Sequence, residues 1–376
     1  MPDLPAEPSL ASSPTSSPAS SPERRPALAT AFPPVHGYLN AATLGLPIRA
    51  TSAVLRQALD DWERGVIDMP TMDAAVVRAR DAYARIVRVP ASWVAAAPQV
   101  SVLVGLIAAA LPNGAEVVLP EGDFASVVFP FLVHADRGVT VRQVPLERLA
   151  ESIGDRTTLV AFSVVQSADG RIADAAAVRA AARSVGALTL ADLTQAAGWL
   201  PVDAGADDMT VCGTYKWLCS PRGTALMTVR PEVAVRLRPL FAGWYAGGSI
   251  WDSVYGPEMI LAPDARRFDV SPAWHAWLGT APALEAFADA DGEALHRHAV
   301  GLADGVRDRL GLERTGSAIL ALPDPSGALL ARLLGRGLVV AGRAGRVRLS
   351  FHVWNDADDA EQASEALAEA QTPAAP

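Results

Sequence analysis

Lysine is almost missing from this chain of 376 residues, since only one of the 32 lysine and arginine residues, Lys216, is a lysine. A coding preference for arginine would leave such a remnant by chance. The two residues differ in chemistry, however, because a guanidinium stays protonated, whereas a desolvated amine can lose its proton and attack a carbonyl carbon to form a Schiff base. A covalent role for Lys216 is therefore a hypothesis that the rest of the sequence must support.

Cysteine is also scarce, and Cys212 and Cys219 are the only two. Their spacing fits neither a disulfide framework nor a C-x-x-C metal or redox motif, so we expect a cytoplasmic protein. No HExxH motif occurs, and the scattered histidines include one close pair, His296 and His298, which suits solvated side chains better than metal ligands. We expect no metal site.

Signals for nucleotides, nucleic acids and membranes are missing as well. There is no GxGxxG, no GxSxG, and no P-loop, because Trp217 follows Lys216 where a P-loop needs serine or threonine. The net charge of -9 gives no attraction to nucleic acid. The longest apolar run, 102–111, is too short to span a bilayer. The composition therefore favours a small-molecule substrate and neither nucleic acid nor a membrane as partner.

The domain organisation follows from changes in composition along the chain. The first 28 residues are rich in serine, proline and alanine and contain too little apolar surface to pack, so we expect a disordered tail. We predict that residues 29–50 form a segment that packs with the small domain and that residues 51–283 form a large domain. Residues 284–370 are predicted to form the small C-terminal domain, and residues 371–376 a disordered end.

Short apolar strands alternate with alanine-rich helices in the middle of the chain. Strands are predicted at 116–120, 139–145, 157–165, 187–192, 209–214 and 224–229, and helices at 100–111 and 174–186. Strands that are apolar on both faces and linked by helices predict an α/β fold with a mostly parallel sheet. Beyond residue 284 the pattern predicts a smaller α+β domain with strands at 317–323, 338–342 and 346–351.

Ligands of such sheets bind beyond the carboxyl ends of the strands. The residues at these positions are 121–124, Gln166, Asp192, Gln195, Tyr215 and Lys216. An isolated aspartate there would more often cap a helix. A lysine that forms a Schiff base, combined with a carboxylate that keeps a pyridine nitrogen protonated, is instead what pyridoxal phosphate (PLP) chemistry requires.

The segment DLTQAAGWLPVDAGADDMTVCGTYKWLCSPRG, residues 192–223, resembles the class V aminotransferase superfamily of PLP enzymes. That family includes cysteine desulfurases, kynureninases, isopenicillin N epimerase and the carbon–sulfur lyases of ergothioneine biosynthesis. The similarity spans roughly Tyr38 to Ala368. It implies the type I fold of PLP enzymes, with the large domain as the PLP-binding domain and the smaller α+β domain beside it.

The resemblance also implies roles for individual residues around the PLP ring. Lys216 would form the Schiff base, Asp192 would pair with the pyridinium nitrogen, and Gln195 would lie by the phenolic oxygen. Phe124 matches the aromatic or histidine that stacks on the ring, although a core position would also explain it. Gln166 matches a polar position near the ring or the substrate.

The phosphate and substrate contacts come from other segments. Gln99, Val100 and Ser101 match the helix start that binds the phosphate, in a form that departs from the common Gly-Ser-Thr and is closer to kynureninases, and the hydroxyl of Tyr215 would add a contact. In RVRLSFHVWN, Arg348 matches the arginine that binds the substrate α-carboxylate. Asn40 is a second candidate for substrate binding.

Several reactions stay open at this point. A cysteine desulfurase needs a mobile cysteine on a late loop, and no cysteine follows Cys219, so that activity is disfavoured. The opening HGYLNAATLGLPIRAT, the helix around Trp62 and the overall length resemble the ergothioneine-type lyases and the isopenicillin N epimerase-like members, and we favour a lyase of the hercynylcysteine sulfoxide type that acts by β-elimination. An aminotransferase, an epimerase of a small amino acid and a catalytically idle binding module are the alternatives.

Members of the family are generally homodimers in which both subunits line each site. The aromatic segment 241–256, with Arg266 and Arg267, could line the partner's site, form a mobile lid or pack as core. The resemblance therefore implies a homodimer with an amino acid as substrate.

Overall fold

The computed structural model of the protein describes residues 25–256 and 258–369. The predicted disordered tail lies outside these residues except for its last four, and the predicted disordered end lies outside them entirely. Leu28 is buried in a short 3-10 turn, Ala27–Ala31. Within the described ranges, no helix is both long and apolar enough to cross a membrane.

A seven-stranded sheet forms the centre of the larger part of the chain. In spatial order its strands run β1-β7-β6-β5-β4-β2-β3; β7 is antiparallel to both of its neighbours and the other pairs are parallel. Their bounds are β1 Val94–Ala97, β2 Glu116–Pro120, β3 Thr140–Val144, β4 Thr157–Ser163, β5 Leu188–Asp192, β6 Met209–Gly213 and β7 Ala225–Val229. The predicted mostly parallel α/β sheet is confirmed.

Strand β1 is absent from the sequence-based prediction. Its sequence, VAAA, is mostly alanine, which favours helices and is depleted in strands. All four residues are buried between β7 and the helices on both faces. Tertiary burial therefore outweighs local propensity here.

Helices cover both faces of the large sheet. Alternate residues of each strand face opposite sides, so Val118 of β2 packs with one apolar cluster and Val117 with another. Helices α3 and α4 belong to the second cluster, and α2, α5 and α7 to the first. The bounds are α1 Arg49–Glu63, α2 Met69–Ile86, α3 Val100–Ala110, α4 Ala125–Leu132, α5 Ala175–Val185, α6 Pro231–Ala234, α7 Trp274–Ala288, α8 Gly292–Arg309, α9 Ala328–Gly335 and α10 Ala357–Ala368.

A small antiparallel sheet in the order β8-β10-β9 forms the C-terminal part. It comprises Ile319–Pro323, Arg346–Ser350 and Ala341–Arg343, respectively, and shares an apolar cluster with helices α8, α9 and α10. The N-terminal segment runs along it, because Leu39 donates its N–H to Val339 and accepts one from Ser350. The predicted strand at 338–342 is shorter, since Val339 only bridges to Tyr38 before β9 begins.

Candidate active site

A cavity of about 470 Å³ lies at the carboxyl ends of β4, β5 and β6. That volume suits a small-molecule site. Most of the residues singled out in the sequence line it, namely Gln99, Val100, Ser101, Phe124, Asp192, Gln195, Tyr215 and Lys216. The structure adds Ser126, Ser163, Ser167, Thr194, Arg222 and Thr224 to the wall. Gln166, Arg348 and Asn40 are not among the lining residues.

Lys216 lies in the loop between β6 and β7, and its side chain is buried. Burial lowers the pKa of the amine to about 8, and Asp192 opposes this change. The nitrogen lies 5.1 Å from the ring centre of Phe124. At pH 7 roughly a tenth of such an amine is neutral, far more than of an ordinary lysine, and that neutral fraction can act as a nucleophile and a base.

Asp192 ends strand β5 and is buried beside the cavity. Its Oδ1 accepts a hydrogen bond of 2.8 Å from the N–H of Thr194. Burial raises the pKa of the carboxyl group to about 6, and the nearby Asp123 adds to the rise. No arginine or lysine forms an ion pair with Asp192 among the described residues, so the site offers a carboxylate to a cationic group of a ligand.

Gln195 is held by hydrogen bonds at both ends of its amide. Nε2 donates to the carbonyl of Ala42 and to Oγ of Ser167, each at 3.0 Å. Oε1 accepts a bond of 2.7 Å from the indole N–H of Trp217, the residue after Lys216. The amide is therefore fixed in one orientation at the cavity wall.

Phe124 precedes helix α4 and is 44% exposed, an unusual state for a large aromatic side chain. The ring lines the cavity, so the exposed surface is open to a ligand. A planar ligand ring would cover it. The stacking role of Phe124 stays a prediction.

Strands β1, β6 and β7 meet at one part of the cavity wall. Ala225 of β7 pairs with Ala97 of β1 on one side and with Gly213 of β6 on the other. The start of helix α3 follows β1 and lines the cavity, as do Tyr215 and Arg222. The free N–H groups of a helix start favour an anion such as phosphate.

Arg222 is not among the site residues predicted from the sequence, yet its guanidinium carbon lies 4.8 Å from the ring centre of Tyr215. Its charge offsets part of the rise that burial causes in the pKa of the Tyr215 hydroxyl. The one signal in the sequence is its place in SPRG, six residues after Lys216.

Arg348 lies on β10, just behind the cavity wall. It is 1% exposed, and its Nη2 donates a bond of 2.8 Å to Oγ1 of Thr43. Its Nη1 donates to the carbonyl and to the hydroxyl of Ser167, which lines the cavity. The buried Nε has no partner among the described residues, and burial lowers the pKa of the guanidinium to about 10. A buried guanidinium bound only to neutral groups is suited to an incoming carboxylate.

Asn40 and Gln166 lie behind the wall. The buried Oδ1 of Asn40 has no hydrogen-bond partner among the described residues, and its backbone bridges Ser350 on β10. The amide of Gln166 donates to the carbonyl of Ser163 at 3.2 Å. Neither side chain reaches the cavity in this structure, and their roles stay predictions.

The Lys216 loop is packed against distant parts of the chain. The N–H of Gly45 donates to the carbonyl of Tyr215 at 2.9 Å. A Cβ atom on Gly45 would lie 2.0 Å from the carbonyl oxygen of Lys216. His352, which follows β10, has an Nε2 that lies 2.8 Å from the carbonyl oxygen of Trp217. Burial lowers the pKa of that histidine to about 3, so the ring is neutral and Nε2 donates this bond, because Nδ1 accepts from Val353.

Substituting Gly45→Ala is expected to lower the free energy of unfolding by about 1–3 kcal/mol, because the new methyl group forces the backbone of Lys216 to move. Gly305→Ala is the control, since a Cβ atom on that glycine of helix α8 meets nothing within 4 Å. Chemical denaturation measures both variants. Equal stability of the two would mean that the contact at Gly45 does not constrain the loop.

His36, Asp356 and Asp359 bring potential metal-binding atoms within 4.8 Å of one another. The two aspartates already cap helix α10, where Asp356 accepts from the N–H of Asp359 and the side chain of Asp359 accepts from the N–H of Asp356. Helix capping accounts for this cluster.

The cavity fits pyridoxal phosphate. Its lining offers an amine to an aldehyde, a carboxylate to a ring nitrogen and the exposed ring of Phe124 as a flat surface. The start of helix α3 and the cation of Arg222, which also line it, would favour a phosphate.

Known proteins agree with this assignment. The family profile described as aminotransferase class-V matches residues 93–321. An uncharacterized aminotransferase of Bacillus subtilis (strain 168) is 28% identical over 310 residues, which is 77% of this chain and 82% of that protein. A kynureninase of Deinococcus radiodurans is 29% identical over 292 residues, 71% of this chain and 69% of its own.

A solved structure of the cystine C–S lyase C-DES, in complex with its reaction product cysteine persulfide, superposes with a TM-score of 0.80 at 17% identity. The superposition covers 89% of this chain and 97% of that one. The predicted family, fold and cofactor are thereby confirmed. The chain belongs to the class-V aminotransferase family and is an enzyme with the type I fold that uses pyridoxal phosphate.

Proposed function

We propose that the chain is a carbon–sulfur lyase of the hercynylcysteine sulfoxide lyase type, which cleaves a cysteine conjugate by β-elimination. The observation that carries this proposal is the state of the two thiols. Cys212 and Cys219 are buried and free, and burial raises the pKa of each thiol well above its usual value. Neither can act as the mobile nucleophile of a desulfurase, whereas elimination needs no cysteine.

When bound, pyridoxal phosphate delocalises the electron pair left behind by the departing α-proton. The residues of the chain perform the other tasks. Lys216 would hold the cofactor covalently and, once displaced by the substrate amine, accept the α-proton at Nζ. Asp192 would hold the cationic ring nitrogen, and Arg348 would bind the α-carboxylate with its two Nη groups.

In the proposed reaction the Cα–H and Cβ–S bonds of the substrate break. The proton goes to Nζ of Lys216, and the electron pair of the second bond leaves with sulfur as a thiolate or sulfenate. Water then converts the three-carbon fragment to pyruvate and ammonium. No external oxidant or reductant is needed.

The test is to incubate the PLP-loaded protein with an S-substituted cysteine sulfoxide and to measure pyruvate and ammonium. We expect the two products in equal amounts without any added 2-oxo acid. Amino-group transfer that requires a 2-oxo acid would identify an aminotransferase instead. Loss of optical purity without products would identify an epimerase, and no conversion of a panel of amino acids would favour the idle binding module.

A homodimer is proposed as the working form. Several large apolar side chains of the segment 241–256 are exposed, among them Phe241, Trp251 and Tyr255, and a second copy would cover them. Arg266 holds this segment by donating to the carbonyl of Gly247, whereas Arg267 donates to the carbonyl of Ala262, beyond the segment. Sedimentation that gives the monomer mass of 39.3 kDa would contradict the dimer. The cytoplasmic location stays a prediction.

A further inference from the structure

Three arginines lie on one face of the small sheet. Arg346 of β10 pairs directly with Arg343 of β9, and Arg348 pairs with Ala341. Alternate residues of a strand share a face, and directly opposed residues of neighbouring strands share one as well. Arg343, Arg346 and Arg348 therefore project from the same face. The contacts of the last two agree, since both reach the loop after β4, at Asp169 and Ser167.

The position of Arg343 is fixed by a tight hairpin. Only Ala344 and Gly345 connect β9 and β10, and both have positive φ angles, 47° and 71°. Two successive residues with positive φ form a type I′ turn, whose backbone twist matches the twist of the two strands that it joins. Because such a turn fixes the register, Arg343 stays opposite Arg346.

Only one of the three arginines is neutralised. Arg346 lies 3.2 Å from a carboxylate oxygen of Asp169. Arg348 bonds to the neutral groups of Ser167 and Thr43. Arg343 donates to the carbonyl of Gly342, and no described acidic residue forms an ion pair with it. Two guanidinium charges on this face therefore have no acidic partner within the described part of the chain.

These two charges are close enough to oppose each other. Burial is the main cause of the lowered pKa of Arg348, and Arg343 lowers it further. Arg343 also contributes to the lowered pKa of Lys216, after burial and Arg348. The α-carboxylate of an amino acid would neutralise one guanidinium and leave the other without an opposite charge.

We propose that the substrate carries a second carboxylate on its side chain, beyond the sulfur atom, and that Arg343 binds it while Arg348 binds the α-carboxylate. Diagonal neighbours on adjacent strands lie about 7–8 Å apart, so the two carboxylates are separated by several bonds. Arg343 is exposed, which leaves it accessible to the outer part of a long side chain. The inference rests on the proposed function and names the substrate class of that same site.

The test compares two ligands of the same shape that differ in one charge. S-(2-carboxyethyl)cysteine carries the second carboxylate, and S-(2-carbamoylethyl)cysteine carries an amide in its place. Calorimetry on the full-length, PLP-loaded protein measures the Kd of each. We expect the dicarboxylate to bind about tenfold more tightly than the amide, as a partly exposed charge-assisted contact predicts.

Arg343→Gln is expected to remove the preference for the dicarboxylate and to leave the affinity for the amide unchanged. Unchanged binding of the amide also shows that the variant is folded. Arg156→Gln is the control for net charge, because that side chain is 89% exposed and lies at the opposite end of the large sheet. It should keep the preference of the original protein.

Two results would overturn the inference alone: both ligands bind the original protein equally, or Arg343→Gln keeps the preference for the dicarboxylate. Failure of both ligands to bind would instead overturn the proposed function, and the inference about the substrate class, which rests on that function, would be rejected as well.

Discussion

Lys216→Ala is expected to abolish covalent attachment of the cofactor and to lower amino acid turnover by at least about a thousandfold, because one side chain supplies both the anchor and the base. Lys216 is the only lysine of the chain, so a Schiff base on a lysine side chain has one possible position. Borohydride reduction followed by mass spectrometry of peptides should label that residue and no other side chain.

Lys216→Arg is the matched control, because it keeps a positive charge and lacks a nucleophilic amine. It should fail to attach the cofactor as completely as the alanine variant. A label that persists in either variant would place the attachment elsewhere, and the assignment of Lys216 would be wrong.

The pH dependence of attachment follows from the lowered pKa of Lys216. Only the neutral amine attacks a carbonyl, so the rate should rise with pH and level off above about 8. An ordinary lysine would give a rate that still climbs towards pH 10.5. Stopped-flow absorbance of PLP added to the cofactor-free protein separates the two cases.

Asp192→Asn is expected to lower turnover by about a hundredfold to a few thousandfold, which corresponds to the loss of one partner of a buried charge pair. Attachment at Lys216 should survive, because the amide leaves that amine in place. Turnover and reduced-peptide mass are measured on the same preparation. Asp203→Asn is the control, since Asp203 is an exposed carboxylate in the segment that joins β5 to β6.

The same substitution should raise the stability of the cofactor-free protein at neutral pH. The folded-state pKa of Asp192 is raised from 3.8 to about 6, so the folded state binds its proton more tightly than the unfolded state does. The cofactor-free protein therefore loses up to about 3 kcal/mol as the pH rises from about 4 to 6. The asparagine variant avoids this loss.

Thermal unfolding at pH 4 and pH 7, with and without PLP, measures this effect. We expect the variant to be the more stable protein at pH 7 without cofactor and to gain less from adding it. Equal turnover by the variant and the original protein would show that Asp192 does not act on the cofactor.

The sequence by itself determined the α/β class, the family and the core of the site, because these depend on local signals. Asp192 ends one apolar strand and Lys216 follows the next, and parallel strands bring their ends to one edge. Strand β1 escaped detection because its alanines carry no strand preference and only burial selects their conformation.

Tertiary structure alone decided how the site is completed. Gly45, His352 and Arg343 come from segments far from Lys216 in sequence, and no local pattern marks them. Their roles depend on a carbonyl contact, a hydrogen bond and a hairpin register, respectively. Such contacts form only when the N-terminal segment and the small sheet pack beside the large one. Side-chain chemistry is a property of single residues, whereas proximity is a property of the folded chain.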